Sequence, residues 1–327
     1  MKAVVFDNTG DESVLSIGEV PSPTLSEGEV RIRVAAAGVN RADLLQRKGL
    51  YPPPPGASEI LGLECSGTVE ELGIEVTRFK PGDRVMALLT GGGYAEQVVV
   101  PEACVIRTPA RLTDVEAAGV PEVFITAFLG LFLIGGLEEG RTALVHGGSG
   151  GVGTAAIQLA KGSGARVLVT AGSAERCQRC RELGADAAFN YHDEDFVSGS
   201  LESTNGTGVD VVLDCIGGAY LERHLEVLSL GGRLVVIGLQ GGKDATLDLA
   251  RVMRKRLAIV GSTLRARPAE DKGRIIDAFV ERFGPDLESG RIRPVIDRML
   301  PLAEASEAHR LLATGKIFGK IVLTTTE

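Results

Sequence analysis

Between Thr142 and Lys161 the chain reads TALVHGGSGGVGTAAIQLAK, which sets Gly148, Gly150 and Gly153 in a G-x-G-x-x-G spacing. The triplet follows an apolar β-type run and opens a helical one, the context in which this spacing signifies dinucleotide binding. The glycines let the backbone turn tightly, leave room for a pyrophosphate and let the helix pack close to the strand. The N–H groups and dipole at the helix start then favour the phosphate charge. Gly151 and Val152 complete the loop, and Ser149 offers it a hydroxyl. The same residues satisfy G-x-S-x-G at Gly147, Ser149 and Gly151, the nucleophile elbow of α/β-hydrolases. His192, His224 and His309 lie downstream and Asp214 precedes two of them, so the order Ser, Asp, His is formally available. That reading leaves Gly148, Gly150 and Gly153 unexplained, whereas the dinucleotide reading explains them together. His146, at the strand end, then reads as packed, and Asp214 as an acceptor for nearby backbone amides.

In NAD-selective sheets an acid about 20 residues past the glycines ends the second strand and binds the ribose hydroxyls. Here that strand is RVLVT and its end reads AGSAER, with no acid at the position. Gly172 leaves space, Ser173 offers a hydroxyl and Arg176 supplies a planar cation suited to a 2′-phosphate, which favours NADPH. Glu175 is the nearest carboxylate, placed on a starting helix where it points to solvent. Cys177 and Cys180 form a C-x-x-C spacing, but no second Cys or His pair completes a zinc site, and the glycine-serine turn occupies the helix start that a redox pair requires.

The elements that position these residues fall into two textures. From residue 1 to about 120, short β runs (KAVVF, EVRIRVAAAGV, ECSGTVEEL, DRVMALL, YAEQVVV) broken by Gly and Pro suggest a mostly antiparallel β-domain. Thr113, three residues before Glu116, predicts a capping box. After Val123, apolar β runs alternate with helical stretches through LAIVGS, the pattern of a parallel sheet covered on both faces. Beyond Arg265, helical DKGRIIDAFVERF, strand-like IRPVIDRML, helical AEASEAHRLLATG and closing GKIVLT are expected to return to the first domain. The expected division is 1–122 with 266–327 for the β-domain and 123–265 for the nucleotide domain.

A chain of 327 residues, 44% apolar, is long enough for two cores. A net charge of −8 has the wrong sign for binding a phosphate backbone, so nucleic acid is not expected as a partner. The longest apolar stretch, Val123 to Gly136, falls short of the roughly 20 residues a membrane span needs. No signal-peptide pattern opens the chain, and five scattered cysteines do not form a secreted disulfide framework, which points to the reducing cytoplasm.

The segments AAAGVNRADLLQRKGLYPPPPGASEILGLECSGTV, KPGDRVMALLTGGGYAEQVVVPE, VPEVFITAF, GGVGTAAIQLAK, VTAGS, LGAD, DCIGG and the final GKIVL resemble the zinc-free quinone oxidoreductases of the medium-chain dehydrogenase/reductase superfamily. The likeness covers essentially the whole chain and is closest to the p53-inducible type. It implies an α/β architecture in which a GroES-like, mostly β catalytic domain accompanies a doubly wound parallel-sheet (Rossmann) domain for NADPH. Zinc-dependent relatives place a Cys ligand where this chain has Asn40 and a His ligand where it has Leu63. Glu64 remains but cannot hold an ion alone, and Cys65 reads as a buried thiol, so no metal is expected.

Without a metal, hydrogen-bond donors must stabilise the charge that develops on a substrate oxygen. Asn40 through its amide and Tyr51 through its phenol are the candidates, and the resemblance implies the same two positions. It further implies Thr126 near the nicotinamide end, and Tyr191 beside Arg176 at the adenine end. Ile216, Leu239 and Leu264 would face the nicotinamide half, and Lys320 would approach the phosphate. Hydride transfer from NADPH to a quinone fits this set, since a hydroquinone anion needs little help from an acid. Reduction of 2-alkenal or enone double bonds is the alternative, and a cofactor-binding structural or RNA-binding protein with little turnover is a more distant one. The run LAIVGSTL suggests a sheet edge that pairs with its copy in a homodimer.

Overall fold

The structure is a computed structural model that describes residues 1–325, and the chain folds as two compact units, Met1–Ile125 with Leu264–Glu327 and Thr126–Thr263.

The first unit opens with β1 (Lys2–Val5), β2 (Ser16–Glu19) and β3 (Glu29–Gly38), followed by α1 (Arg41–Arg47), β4 (Glu64–Leu72), β5 (Arg84–Leu88), β6 (Gln97–Pro101) and β7 (Val105–Arg107). The helix α2 (Asp114–Ala117) starts at Thr113, whose Oγ1 accepts from Glu116 N at 3.3 Å while the Glu116 carboxylate accepts from Thr113 N at 2.9 Å, the expected capping box. α3 (Pro121–Phe128) then leads out of this unit.

The second unit alternates strand and helix: β8 (Thr142–His146), α4 (Gly151–Gly162), β9 (Arg166–Ala171), α5 (Ala174–Leu183), β10 (Ala187–Asn190), α6 (Phe196–Ser203), β11 (Val209–Asp214), α7 (Leu221–Val227), β12 (Leu228–Val236), α8 (Leu249–Lys255) and β13 (Ala258–Gly261). Its six strands pair in parallel in the order β10-β9-β8-β11-β12-β13. Every residue of β8 is buried, as expected of a central parallel strand with helices on both faces. Leu144, Leu168, Val212 and Leu234 from four adjacent strands pack with Phe189 and Phe196 into its core. The edge strand β13 alternates between half-buried and exposed residues, with Ile259 exposed.

The chain then returns to the first unit through α9 (Ala269–Ser289), β14 (Ile296–Pro301), α10 (Ala305–Ala313) and β15 (Lys320–Thr324). β15 lies between β14 and β3 in a seven-stranded sheet of order β14-β15-β3-β4-β5-β7, with β6 also on β3. α9 runs past the predicted stop at Phe283 and through Pro285, because Phe283 and Leu287, one turn apart and both buried, keep its apolar face on the core.

Candidate active site

The phosphate-binding loop forms where β8 ends. Gly147 turns the chain at φ +73°, and Gly150 is the N-cap of α4. A Cβ on Gly148 would lie 2.6 Å from Val169 of the neighbouring strand, and one on Gly153 would strike the Gly147 carbonyl, so these two glycines let helix and strands close together. A Cβ on Gly150 would meet only the Gly147 carbonyl oxygen, at 3.4 Å. Crowding within the chain therefore explains Gly148 and Gly153, while Gly150 leaves the helix start open to a ligand. Gly151 and Val152 are half-buried in the first turn and Ser149 is buried in the loop. Among the described residues no histidine is hydrogen-bonded to Ser149, which removes the hydrolase reading. His146 instead meets Thr170 Oγ1 at 2.9 Å and His224 Nε2 at 2.9 Å, with both imidazoles buried and held neutral by loss of solvent. The Asp214 carboxylate accepts from Ile216 N at 2.7 Å and Gly217 N at 2.9 Å, the structural acceptor role expected of it.

At the end of β9, Ser173 caps α5 and its Oγ accepts from Arg176 N and Nε, each at 3.2 Å, while Arg176 Nη2 donates to the Gly172 carbonyl at 3.0 Å. A Cβ on Gly172 would strike the Tyr191 hydroxyl and come within 3.2 Å of Arg176 Nη2. A guanidinium and a phenol thus converge over the one residue without a side chain, at a strand end that carries no acid. This donor set fits a phosphate monoester. Cys177 and Cys180 face inward, and burial pushes both thiols up, Cys180 to about 12, so they are packing groups and not thiolate ligands.

In the same unit Thr126 is half-buried, Ile216 is half-buried just after β11, and Leu239 is exposed. Leu264 falls in the β unit, whereas the expected division put it in the nucleotide unit; its side chain is buried and its carbonyl accepts from Arg267 N at 3.2 Å. Lys320 also departs from expectation. It starts β15 in the β unit, and its buried ammonium donates to Val39 O at 2.9 Å and to Asn40 Oδ1 and Glu64 Oε1, each at 2.6 Å. All three N–H groups have internal acceptors, so none remains for a cofactor phosphate.

That ammonium organises the polar centre of the β unit. Asn40, buried at the N-cap of α1, turns its oxygen to Lys320 and its nitrogen to Glu64 Oε1 at 2.9 Å and Gly38 O at 3.4 Å. The amide is therefore engaged at both ends, and Asn40 holds the cluster together where it was expected to donate to substrate. Glu64 completes its shell with Glu122 N at 2.9 Å. Loss of solvent raises the Glu122 carboxyl to about 8, with the neighbouring Glu64 charge adding to the shift. Asp43 is raised to about 6 by burial, against the hydrogen bonds it accepts from Asn40 N, Tyr94 Oη and Gly62 N.

A cation already stands between the amide and the carboxylate, and Leu63 is apolar and buried where a zinc-dependent relative places an imidazole. The donor set does not fit a zinc ion. Tyr51 is half-buried and its hydroxyl makes no hydrogen bond among the described residues. The Arg265 guanidinium lies 5.4 Å from its ring centre and donates to Tyr51 O at 3.2 Å, Thr90 O at 2.8 Å and Gln46 Oε1 at 2.7 Å. Burial and the Glu122 charge raise the Tyr51 phenol, and Arg265 opposes them. Sequence reasoning did not find Glu122 or Arg265; the only sign of Glu122 was a charged residue inside an apolar segment, and Arg265 gave none.

A mostly antiparallel β unit interrupted by a parallel-sheet unit with a phosphate loop defines a nucleotide-dependent dehydrogenase or reductase. Residues 26–110 match the alcohol dehydrogenase GroES-like domain and residues 151–281 match the zinc-binding dehydrogenase domain. A quinone oxidoreductase of Lama guanicoe is 32% identical over 99% of this chain and 97% of its own. A phenolphthiocerol/phthiocerol polyketide synthase of Mycobacterium tuberculosis is 32% identical over 98% of this chain, which spans only 14% of that protein. The crystal structure of Escherichia coli quinone oxidoreductase complexed with NADPH superposes with a TM-score of 0.87 at 28% identity, covering 99% of this chain and all of that one. The chain belongs to the quinone oxidoreductase family of the medium-chain dehydrogenase/reductase superfamily.

Proposed function

We propose that this chain is an NADPH:quinone oxidoreductase that works without a metal. NADPH, when bound, supplies the hydride. The observation that carries the cofactor choice is the convergence of Tyr191 and Arg176 over Gly172 at a strand end without a carboxylate. The residues that would hold the nucleotide are Gly148, Ser149, Gly150, Gly151, Val152 and Gly153 at the pyrophosphate, and Gly172, Ser173, Arg176 and Tyr191 at the 2′-phosphate. Thr126, Ile216 and Leu239 remain for the nicotinamide half.

On the substrate side, Tyr51 is a hydrogen-bond donor whose hydroxyl has no partner among the described residues, and Arg265 fixes its position. Asn40 and Lys320 act behind it by holding Glu64. A quinone suits a site whose donor is a phenol, because the reduced oxygen is a weak base and needs little help from an acid. Oxidation of simple alcohols does not suit it, since nothing there lowers a hydroxyl pKa. The exposed apolar edge at β13 supports a homodimer formed by strand pairing.

The test is NADPH oxidation by ortho- and para-quinones against conjugated aldehydes in a single preparation, repeated with NADH. Quinone turnover with at least tenfold preference for NADPH supports the reading. Faster turnover of the conjugated aldehydes assigns a double-bond reductase, and NADPH binding with no turnover on either class assigns a non-enzymatic role. Light scattering at micromolar concentration tests the dimer, which a monomeric mass would rule out.

A further inference from the structure

The β unit contains a cavity of about 520 Å³ whose wall includes neither Asn40 nor Tyr51. Its volume lies within the range of small-molecule sites, about 300–1,000 Å³. Pro54, Ala57, Ile60 and Val99 give it half-buried apolar surface. Arg267 and Lys272 also line it, and no Asp or Glu does, although acids outnumber bases 43 to 35 in the whole chain.

Lys272 distinguishes this cavity from an ordinary surface groove. It rises from the first turn of α9, is only 2% exposed, and donates to Thr90 Oγ1, itself in the wall, at 2.8 Å. That is the ammonium's one hydrogen bond among the described residues, although it carries three N–H groups. Removing a cation from water is unfavourable unless its donors find acceptors. Burial pushes the ammonium pKa down, opposed by the Cys104 thiol and the Glu122 charge, neither of which is hydrogen-bonded to it. An enclosed cation with two unmatched donors beside an apolar wall is complementary to an anion that carries a hydrocarbon tail.

We propose that this cavity is a second small-molecule site that binds a medium-chain carboxylate, with the carboxylate on the Lys272 ammonium and the alkyl chain along Ile60, Val99 and the Pro54–Ala57 loop. Lys272 and Thr90 supply the polar end, and Arg267 adds the same sign of charge. Neither Asn40 nor Tyr51 lines the site, and the proposal does not rest on the reading of the redox site.

Calorimetric titration of the full chain with decanoate and with decyltrimethylammonium tests this, because the two share a chain length and differ in charge. Decanoate is expected to bind at one site per chain and the cation at least tenfold more weakly. Lys272→Met should lower the decanoate affinity at least tenfold while NADPH binding is retained. If Lys272→Met does not fold, Val99→Trp serves in its place. It fills the cavity from β6, and as the only Trp in this Trp-free chain it also reports folding by fluorescence. A folded Val99→Trp protein should have lost decanoate binding. Equal binding of the two amphiphiles, no binding of decanoate, or unchanged decanoate affinity in either folded variant would overturn the proposal.

Discussion

The Lys320 ammonium lies 2.6 Å from Glu64 Oε1, with both side chains closed off from water. Removing one member of such a pair leaves a charge with no compensation, whereas removing both relieves the desolvation of each. Lys320→Met is therefore expected to destabilise the protein by about 3–5 kcal/mol. Adding Glu64→Gln to it should recover part of that loss, because it removes the stranded charge, while the single amide oxygen can accept from only one of Asn40 Nδ2 and Glu122 N. Urea denaturation of the single and double variants measures both numbers, and a double variant no more stable than the single would contradict the pairing.

Arg176 bonds to Ser173 and Gly172, which aims its guanidinium at the end of β9. Arg176→Ala should weaken NADPH binding by roughly 1–3 kcal/mol, the range of a charge-assisted hydrogen bond, and leave NADH binding nearly unchanged. Direct titration of both nucleotides gives the comparison. An equal loss for each would place the 2′-phosphate elsewhere.

Tyr51→Phe keeps the ring against Arg265 and removes only the hydroxyl. For quinones the kcat is expected to fall about tenfold, below the 10²–10⁴ that a general acid contributes when the product is a strong base. For an enone the fall should be larger. Steady-state kinetics on both substrate classes decides it, and an unchanged kcat for each would make Tyr51 a packing residue.

Three buried histidines set a pH dependence of stability. Burial holds His224 and His309 down to about 3 and His146 well below the ordinary range, so all three stay neutral in the folded chain. The unfolded chain takes up protons at these rings near pH 6.5, and the folded chain does so only near pH 3 or below. Their contribution is complete above about pH 6.5 and is lost as the pH falls toward 3. Asp43 and Asp214, both raised to about 6, act in the opposite sense, their penalty easing as the pH falls below 6. A single substitution isolates the histidine effect: the stability gap between wild type and His224→Asn should narrow between pH 7.5 and pH 4.5. A gap independent of pH would refute the assignment.

What was legible in the sequence was what depends on local spacing. The glycine loop, the acid-free end of β9 and the Thr113 capping box each lie within a dozen residues, and the structure shows the same turn, cap and helix starts. Lys320 was misassigned because its partner Asn40 lies 280 residues away, and only the pairing of β15 with β3 brings the two together. Asn40 was read as a substrate donor for the same reason, since its type indicates an available amide and only the fold reveals that both ends are occupied. Leu264 was assigned to the nucleotide unit because the boundary falls in the irregular run between β13 and α9, where no periodic pattern marks the change of core. Glu122 and Arg265 gave no periodic signal, because their environments are assembled from elements distant in the chain.

The insertion of one unit between β7 and β14 has a consequence for biosynthesis. During translation the parallel sheet is complete while the β unit still lacks its last two strands, so the inserted unit can form first and the surrounding one must wait. Glu64 is made long before its neutralising lysine, so a truncation before residue 320 should strand a half-built sheet around an unmatched carboxylate.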